Sequence, residues 1–287
     1  MSNLIKNILT VDVEDWLQSS LALFSKEWIT PDMREPGTQV TKDVYRLLEI
    51  FERTKSKATF FILANVAQRY PEIVKAIQKR GHEIASHGYG HDLVYNLDSE
   101  SFRYDIKKST DIIENITGEK VLGYRAPYFS ITEKSTWALD VLKDLGFTYD
   151  ASIFPISRKL YGIPDCQAYP HKLKNHLWEF PASTISILGK KIPVAGGGYL
   201  RLFPVEFIKY GVDRINKAKR SAVLYLHPYE LDTESLKEPF LEETMKVKFI
   251  RYSQSFKRDS VKNKINILLK LYTFTSISDW LGENDKG

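Results

Sequence analysis

The sequence predicts an α/β fold built on a mainly parallel sheet. Short apolar segments rich in β-branched and aromatic residues alternate along the chain with segments of helical periodicity. Polar side chains cluster where the apolar segments end. Because α/β barrels carry their sites at the carboxyl ends of their strands, these clusters are the candidates for a functional site.

The first elements follow this alternation in order. Residues 6–16, "KNILTVDVEDW", form an apolar segment that turns acidic and predict a buried strand with acids at its end. Residues 41–57 have helical spacing, and residues 58–67, "ATFFILANVA", predict a second strand. Residues 70–81 begin a helix near a proline and end it at a glycine. Residues 82–87, "HEIASH", predict a third strand that ends in a histidine.

The same alternation continues through the second part of the chain. The expected helices are 101–118, 132–147 and 204–220, and the expected strands lie within 121–130, 149–155, 176–183 and 221–231. The stretch from about 156 to 200 is irregular and contains many Pro and Gly residues, which favours loops around a site over a linker.

Length and composition predict one catalytic domain over residues 1–287, with a basic extension from about residue 236. Between Lys246 and Lys270 there are eight Lys or Arg residues and one acid. Such a patch predicts contact with phosphate, with an anionic glycan or peripherally with a membrane surface, and the alternative is a solvated helix face. No nucleic-acid-binding motif accompanies the basic residues. The chain has neither a signal-peptide pattern nor an apolar run of about 18 residues, so a cytoplasmic location is expected.

Two histidines lie four residues apart in "ASHGYGHDLV", residues 85–94. Gly88 and Gly90 disfavour a helix, so His87 and His91 are expected in a loop or tight turn. A turn that contains two imidazoles by chance is the alternative to a metal site. If the strand ending at His87 lies beside the first strand, two imidazoles and a carboxylate meet at one rim, which is the three-ligand arrangement of catalytic zinc.

Three acids, Asp12, Glu14 and Asp15, follow the first apolar segment. On an extended strand, residues 12 and 14 share one face and residue 15 takes the other. Three neighbouring carboxylates repel each other and need a cation or a proton to coexist. The alternative is a helix N-cap with acids that face solvent.

Two further polar residues end apolar segments. Arg125 in "GYRAPYF" is expected to hold a carboxylate through two hydrogen bonds, or to form a structural ion pair. His227 follows "AVLYL" and precedes a proline, so it is a candidate general acid or a hydrogen-bonded core histidine.

Together these segments resemble the polysaccharide deacetylases, the carbohydrate esterases with the NodB homology domain. The ordered motifs "TVDVEDW", "ATFFILANVA", "GHEIASHGYGH", "GYRAPYFS", "YDASIFP" and a late "LHP" carry the resemblance over roughly residues 8–235. "TVDVEDW" stands where the family usually has Thr-Phe-Asp-Asp-Gly. It and the segment beginning "GGGYLRLFPVEF" look like a subgroup associated with exopolysaccharides.

The resemblance implies a distorted β/α barrel with about seven strands and one divalent metal, most often Zn²⁺, held by an aspartate and two histidines. His87 and His91 match the two histidines. Asp15 is taken as the third ligand because it is the last acid of the first motif. Gly88 stands where the family usually has Ser or Thr, which removes a hydroxyl but no ligand.

The resemblance also assigns catalytic roles. Asp12 or Glu14 would be the general base, Arg125 the residue that holds the base, and His227 the general acid.

The function that the resemblance implies is hydrolytic removal of the N-acetyl group from an N-acetylated amino sugar in cell-surface polysaccharide synthesis. Tyr128 and Trp16 are expected to bind this substrate. A nucleotide-linked or lipid-linked precursor is expected, because the chain carries no export signal. One alternative is hydrolysis of another C–N amide bond, in a small cyclic or ureido compound. The other is a non-catalytic glycan-binding relative, which would not need this whole set of residues.

Overall fold

A nine-stranded sheet organises the chain. The computed structural model describes residues 5–23, 31–194, 196–234 and 245–285. The strands are β1 (Asn7–Val13), β2 (Thr59–Ile62), β3 (Glu83–Ser86), β4 (Gly123–Tyr124), β5 (Tyr149–Asp150), β6 (His171–Lys172), β7 (Trp178–Glu179), β8 (Thr184–Ile187), β9 (Lys190–Pro193), β10 (Val223–Leu226) and β11 (Phe274–Thr275). The main sheet has the order β10-β1-β2-β3-β4-β5-β7-β6, and β11 also pairs with β1. Its pairs are parallel except that of β6 with β7, and β8 and β9 form a separate hairpin.

Helices connect and cover these strands. They are α1 (Gln39–Thr54), α2 (Ala64–Arg69), α3 (Pro71–Lys79), α4 (Ser99–Thr117), α5 (Trp137–Asp144), α6 (Gly197–Leu202), α7 (Val205–Lys217), α8 (Met245–Ser255), α9 (Val261–Leu271) and α10 (Ile277–Asn284). Every residue of β1 is buried, as expected of a strand inside a parallel sheet with both faces covered.

The two ends of the sheet approach each other through the segment that follows β7. The amide of Ser183 donates to the carbonyl of Val223 at 3.2 Å, and the amide of Val223 donates to the Ser183 hydroxyl at 2.7 Å. A curled, mainly parallel sheet surrounded by helices confirms the expected distorted α/β barrel.

The register of the sheet brings the candidate residues to one end. Val13 pairs with Ile62, Ile62 pairs with Ser86, and Ser86 pairs with Tyr124. On the other side of β1, Val11 pairs with Leu226. The residues that follow these strand ends therefore lie along one rim; they are Glu14, His87, Arg125 and His227.

Several elements are shorter than expected; the helix expected over 132–147, for example, spans Trp137–Asp144. The strand expected over 58–67 ends at Ile62, and α2 begins at Ala64. The amides of Ala64 and Asn65 donate to the carbonyls of Gly88 and Tyr89, so the neighbouring loop favours a helix start at this point. The β8–β9 hairpin also lies in the region expected to be irregular.

The C-terminal segment packs onto the main sheet. Asn7 pairs with Phe274, and the amide of Ile277 donates to the Thr59 hydroxyl at 2.8 Å. The division into one domain with an extension from about residue 236 stays a prediction. Among the described residues, no helix combines the length and apolarity needed to cross a membrane.

Candidate active site

A cavity of about 250 Å³ lies at the carboxyl ends of the central strands. Its polar lining includes the sequence-predicted residues Asp12, Glu14, His87, His91 and His227. Its other walls are mainly aromatic, formed by Tyr128, Phe129, Tyr161, Tyr225 and Tyr229. The expected meeting of acids and histidines at one rim is therefore present in the fold.

Glu14, His87 and His91 form a compact buried group of potential metal ligands. One ligand atom from each lies within 4.8 Å of the others. Glu14 Oε2 lies 2.6 Å from His91 Nε2 and 3.9 Å from His87 Nε2, yet this buried oxygen has no hydrogen-bond partner. The His87 Nδ1 lies 2.8 Å from the carbonyl of Arg125, which favours a proton on Nδ1 and leaves Nε2 as a donor to a metal. This donor set suits a divalent transition metal.

The loop that carries His91 has an unusual backbone. Gly88 has φ +79°, and a Cβ there would lie 3.0 Å from a carboxylate oxygen of Asp105, so a Ser or Thr does not fit easily. His91 itself has φ +64°, which is strained for a non-glycine residue. The Asp105 carboxylate accepts from the amide of Tyr89, and the Ser109 hydroxyl donates to the carbonyl of Gly88. These bonds hold the loop in a conformation that brings His91 to the cavity.

Asp15, the expected third ligand, does not join this group. Its Oδ1 accepts from the amides of Leu17 and Gln18 at 2.8 and 2.9 Å, and its Oδ2 accepts from the amide of Gly37 at 2.7 Å. Both oxygens are therefore occupied by backbone donors, in the capping role considered as the alternative. Geometry places Glu14 at the position for which the resemblance favoured Asp15.

Asp12 is held by Arg125, which is fully buried. The Arg125 Nη1 donates to Asp12 Oδ1 at 2.7 Å and to the Thr10 hydroxyl at 2.8 Å, and its Nε donates to the carbonyl of Ala151 at 3.0 Å. The guanidinium also lies 4.3 Å from the centre of the Phe61 ring. Arg125 thus holds the carboxylate through one hydrogen bond rather than the two expected, because its Nε donates to Ala151 and its buried Nη2 has no hydrogen-bond partner.

His227 lies between three carboxylates. Its Nε2 is 3.4 Å from Glu14 Oε1 and 3.8 Å from Asp12 Oδ2, and its Nδ1 is 3.7 Å from Glu230 Oε2. The ring stacks on Tyr229 with centres 4.9 Å apart. A histidine so placed between acids can carry a proton inside the cavity.

Burial and neighbouring charges shift the pKa values of the site residues in different directions. Burial raises the pKa of Glu14, but the charges of His91, His227 and His87 outweigh it and lower the pKa to about 2. Burial lowers the pKa of His87 to about 4, so its ring is neutral, as a metal ligand must be. Burial also lowers the pKa of His227, but the Glu230 carboxylate above all outweighs it, and the net pKa is raised. One histidine is therefore suited to bind a metal and another to donate a proton.

The two expected substrate-binding aromatics lie in different environments. Tyr128 lines the cavity, its ring centre is 5.3 Å from that of His91, and its hydroxyl donates to the carbonyl of Ser19. Trp16 is half-buried and does not line the cavity described here.

Several residues of the site were missed from the sequence. Glu230 is buried, lies beside His227, and is 3.9 Å from Arg201 Nε. Its spacing of three residues after His227 in "HPYE" matches a capping box and is the signal that could have found it. Position 196 requires a glycine, because a Cβ there would lie 2.1 Å from the Tyr225 ring.

Comparisons with known proteins show which families and solved structures the chain is similar to. The family model described as polysaccharide deacetylase matches residues 29–149. Over these residues the chain is similar to the polysaccharide deacetylases. Residues 151–282 match a model described only as a domain of unknown function.

Curated relatives of this family match part of the chain. A peptidoglycan deacetylase-like protein of Gibberella zeae is 34% identical over 120 residues, which cover 41% of this chain and 35% of the relative. A peptidoglycan-N-acetylglucosamine deacetylase of Bacillus cereus is 32% identical over 96 residues, which cover 33% of this chain and 35% of the relative. The chain thus spans about a third of the length of these relatives.

Solved structures share the fold over nearly the whole chain. A Mycobacterium smegmatis protein described as a polysaccharide deacetylase has a TM-score of 0.60 at 18% identity, covering 99% of this chain and 92% of that one. The PuuE allantoinase has a TM-score of 0.59 at 15% identity, covering 98% of this chain and 92% of that one. The TM-scores show a shared fold, and at identities this low they show the fold alone, so the reaction has to be argued from the residues of the site.

Proposed function

We propose that the chain is a metal-dependent hydrolase that removes the N-acetyl group from an N-acetylated amino sugar. One observation carries the proposal: a Glu-His-His group, a carboxylate held by arginine and a histidine of raised pKa face the same cavity. A module that only binds glycans does not need a buried proton donor beside a metal-ligand group.

Glu14, His87 and His91 are the proposed metal ligands, and zinc is the proposed metal. Two observations support this assignment. The buried Oε2 of Glu14 has no hydrogen-bond partner, and the contact of His87 Nδ1 with the carbonyl of Arg125 leaves Nε2 as the nitrogen that can bind a cation. A bound divalent ion supplies a Lewis acid that polarises the acyl carbonyl.

Asp12 is the proposed general base. Arg125 fixes the orientation of its carboxylate through Oδ1, while Oδ2 remains on the side of His227. From this position the carboxylate accepts a proton from the water that attacks the acetamide carbon.

His227 is the proposed general acid. Its pKa is raised, largely by Glu230, and this favours the protonated ring that a general acid needs. As the C–N bond breaks, the ring donates this proton to the leaving amine, so the products are acetate and a free amino sugar.

The size and walls of the cavity support a sugar as substrate. About 250 Å³ is below the usual range of small-molecule sites, roughly 300–1,000 Å³, and suits one sugar unit with its acetamide group. The rings of Tyr128, Tyr161 and Tyr229 supply apolar faces with hydroxyl groups, which suit the mixed surface of a sugar. The names of the Gibberella zeae and Bacillus cereus relatives also support an N-acetylated glycan.

We also propose that the enzyme works in the cytoplasm in exopolysaccharide synthesis, on a nucleotide-linked or lipid-linked precursor. The form of the first motif, "TVDVEDW", and the basic residues between 246 and 270 support this. The likeness to an allantoinase gives one competing reading, hydrolysis of a small cyclic ureido compound on the same fold.

A mass-spectrometric screen distinguishes N-deacetylation of an amino sugar from hydrolysis of a cyclic ureido compound. The protein, loaded with zinc, is incubated with N-acetylated nucleotide sugars, lipid-linked sugars, chitooligosaccharides and allantoin, and each product is examined for loss of an acetyl group or addition of water. Acetyl loss that disappears in Asp12→Asn supports the proposal, and the exposed substitution Asp111→Asn is the matched control. Turnover of allantoin alone, or of no compound in the presence of bound metal, would reject it.

A further inference from the structure

Helix α8 presents a row of apolar side chains to solvent. Met245, Phe249, Tyr252 and Phe256 are 83%, 70%, 64% and 38% exposed. They occur at positions i, i+4, i+7 and i+11, so they form one stripe along the helix and its C-terminal end. Exposed apolar residues are ordinary when scattered, but a continuous row of this kind indicates an interaction surface.

The stripe borders a groove on the adjoining helix. A cavity of about 350 Å³ is lined by Leu202 of α6 and by Phe249, Tyr252 and Phe256. Leu202 is itself 52% exposed. The apolar surface therefore extends from α8 onto α6.

Basic side chains flank this stripe. Residues 245–258 contain five Lys or Arg residues and no acid. Lys246, Lys248 and Lys257 are exposed, and the Lys257 ammonium lies 5.3 Å from the centre of the Phe256 ring. An apolar stripe with lysines at its sides has the pattern of a helix that lies in the plane of a membrane interface.

The opposite face of α8 is fixed to the body of the protein. Ile250 is buried in a cluster with Leu21 and Met33. Arg201 donates to the carbonyl and side-chain oxygens of Gln254. These contacts bury one face of α8 against the protein. The exposed apolar stripe lies on the other face, so it is a second apolar surface of the same helix.

The stripe is continuous with the candidate active site. Gly198 and Arg201 line both the groove and the active-site cavity, and Gln254 of α8 lines the active-site cavity. Arg258, which follows α8, donates to the carbonyls of Tyr229 and Asp232 behind the His227 loop. A surface bound to the stripe would therefore lie beside the mouth of the site.

We propose that α8 and Leu202 dock on a lipid bilayer that carries anionic headgroups. The apolar stripe enters the headgroup boundary, and the flanking lysines contact lipid phosphates. The charge pattern favours this occupant, because a basic, acid-free helix complements an anionic surface. Two copies of this chain would instead bring like charges together.

Vesicle co-sedimentation of the full chain tests the proposal. The protein is expected to bind vesicles of phosphatidylcholine mixed with phosphatidylglycerol, and to bind phosphatidylcholine vesicles much more weakly. The double substitution Phe249→Ser with Tyr252→Ser should weaken binding by about tenfold or more, since burying an aromatic side chain contributes on that scale. Tyr104→Ser is the matched control, because Tyr104 is 71% exposed on α4, away from the stripe.

The charge contribution is tested separately. Lys246→Gln with Lys257→Gln should weaken binding by about fivefold for each lysine removed. Lys107→Gln with Lys120→Gln, at exposed positions elsewhere, should leave binding unchanged.

Two results would overturn the docking proposal. One is binding that responds to salt but not to the loss of Phe249 and Tyr252, which is adsorption by charge alone. The other is a dimer in light scattering that the Phe249→Ser, Tyr252→Ser protein loses, which would make the stripe an interface between copies. Neither result depends on deacetylase activity, so the two proposals can fail independently. Equal melting temperatures of all variants exclude a loss of folding.

Discussion

Glu14 Oε2 lies 2.6 Å from Nε2 of His91, but the two atoms lack the alignment of a hydrogen bond. A buried carboxylate oxygen without a hydrogen-bond partner is costly unless a cation or a proton compensates its charge. The arrangement is the one expected of two ligand atoms that face a common ion, with His87 as the third.

Glu14→Gln is expected to lose stoichiometric metal. The neutral amide is a weak ligand, and the charge that offsets the cation disappears. Asp15→Asn should retain metal but lower the free energy of unfolding by about 0.5–2 kcal/mol, since its carboxylate caps the amides of Leu17 and Gln18. Elemental analysis and urea denaturation measure the two effects. Metal lost from Asp15→Asn and kept by Glu14→Gln would restore Asp15 as the ligand.

Asp12→Asn is expected to retain metal and to lose roughly 10²–10⁴ in kcat, the usual contribution of a general base. KM should change little, because a base acts mainly in the transition state. Steady-state kinetics with metal analysis of the same sample checks both statements. An Asp12→Asn protein with normal kcat would move the role of base to another residue.

The position of most site residues could be predicted from the sequence. His87, Arg125 and His227 each end an apolar segment, and the carboxyl ends of parallel strands meet at one edge. The choice between Glu14 and Asp15 could not, because β1 ends at Val13 and strand alternation no longer applies beyond it. The amide of Gly37, distant in sequence, decides where the Asp15 carboxylate points.

The basic stretch after residue 245 shows the same limit. The sequence shows that the stretch is basic, but packing decides which of its side chains are buried and which are exposed. Ile250 and Arg258 are buried, whereas the neighbouring Phe249 and Lys257 are exposed. The packing of Ile250 against Leu21 and Met33 decides which face of the helix is buried.

Asp43 is expected to make stability depend on pH. Burial above all, together with the charge of Asp232, raises its pKa to about 7. The folded state therefore holds a proton that the unfolded state releases near pH 4, so this group's contribution to stability falls as pH rises from about 4 to 7. Asp43→Asn should remove that loss. Its stability relative to the wild type should increase over this range and stay constant above it.

Urea denaturation at several pH values measures the effect of Asp43→Asn. Asp111→Asn, at an exposed position on α4, is the control and should show no such trend. A stability difference for Asp43→Asn that is the same at pH 5 and pH 8 would contradict the raised pKa.

Glu230→Gln is expected to shift the pH dependence of turnover. Glu230 is the largest influence that raises the pKa of His227 against the effect of burial, so the neutral variant should hold the His227 proton less tightly. The alkaline limb of the kcat profile, where the acid loses its proton, should then move to lower pH by about one unit or more. His227→Ala should lose that limb and most of kcat, and a substrate with a better leaving group should recover part of the loss, because its departure needs the proton less. A purely structural role for Glu230 would lower stability and reduce activity equally at every pH.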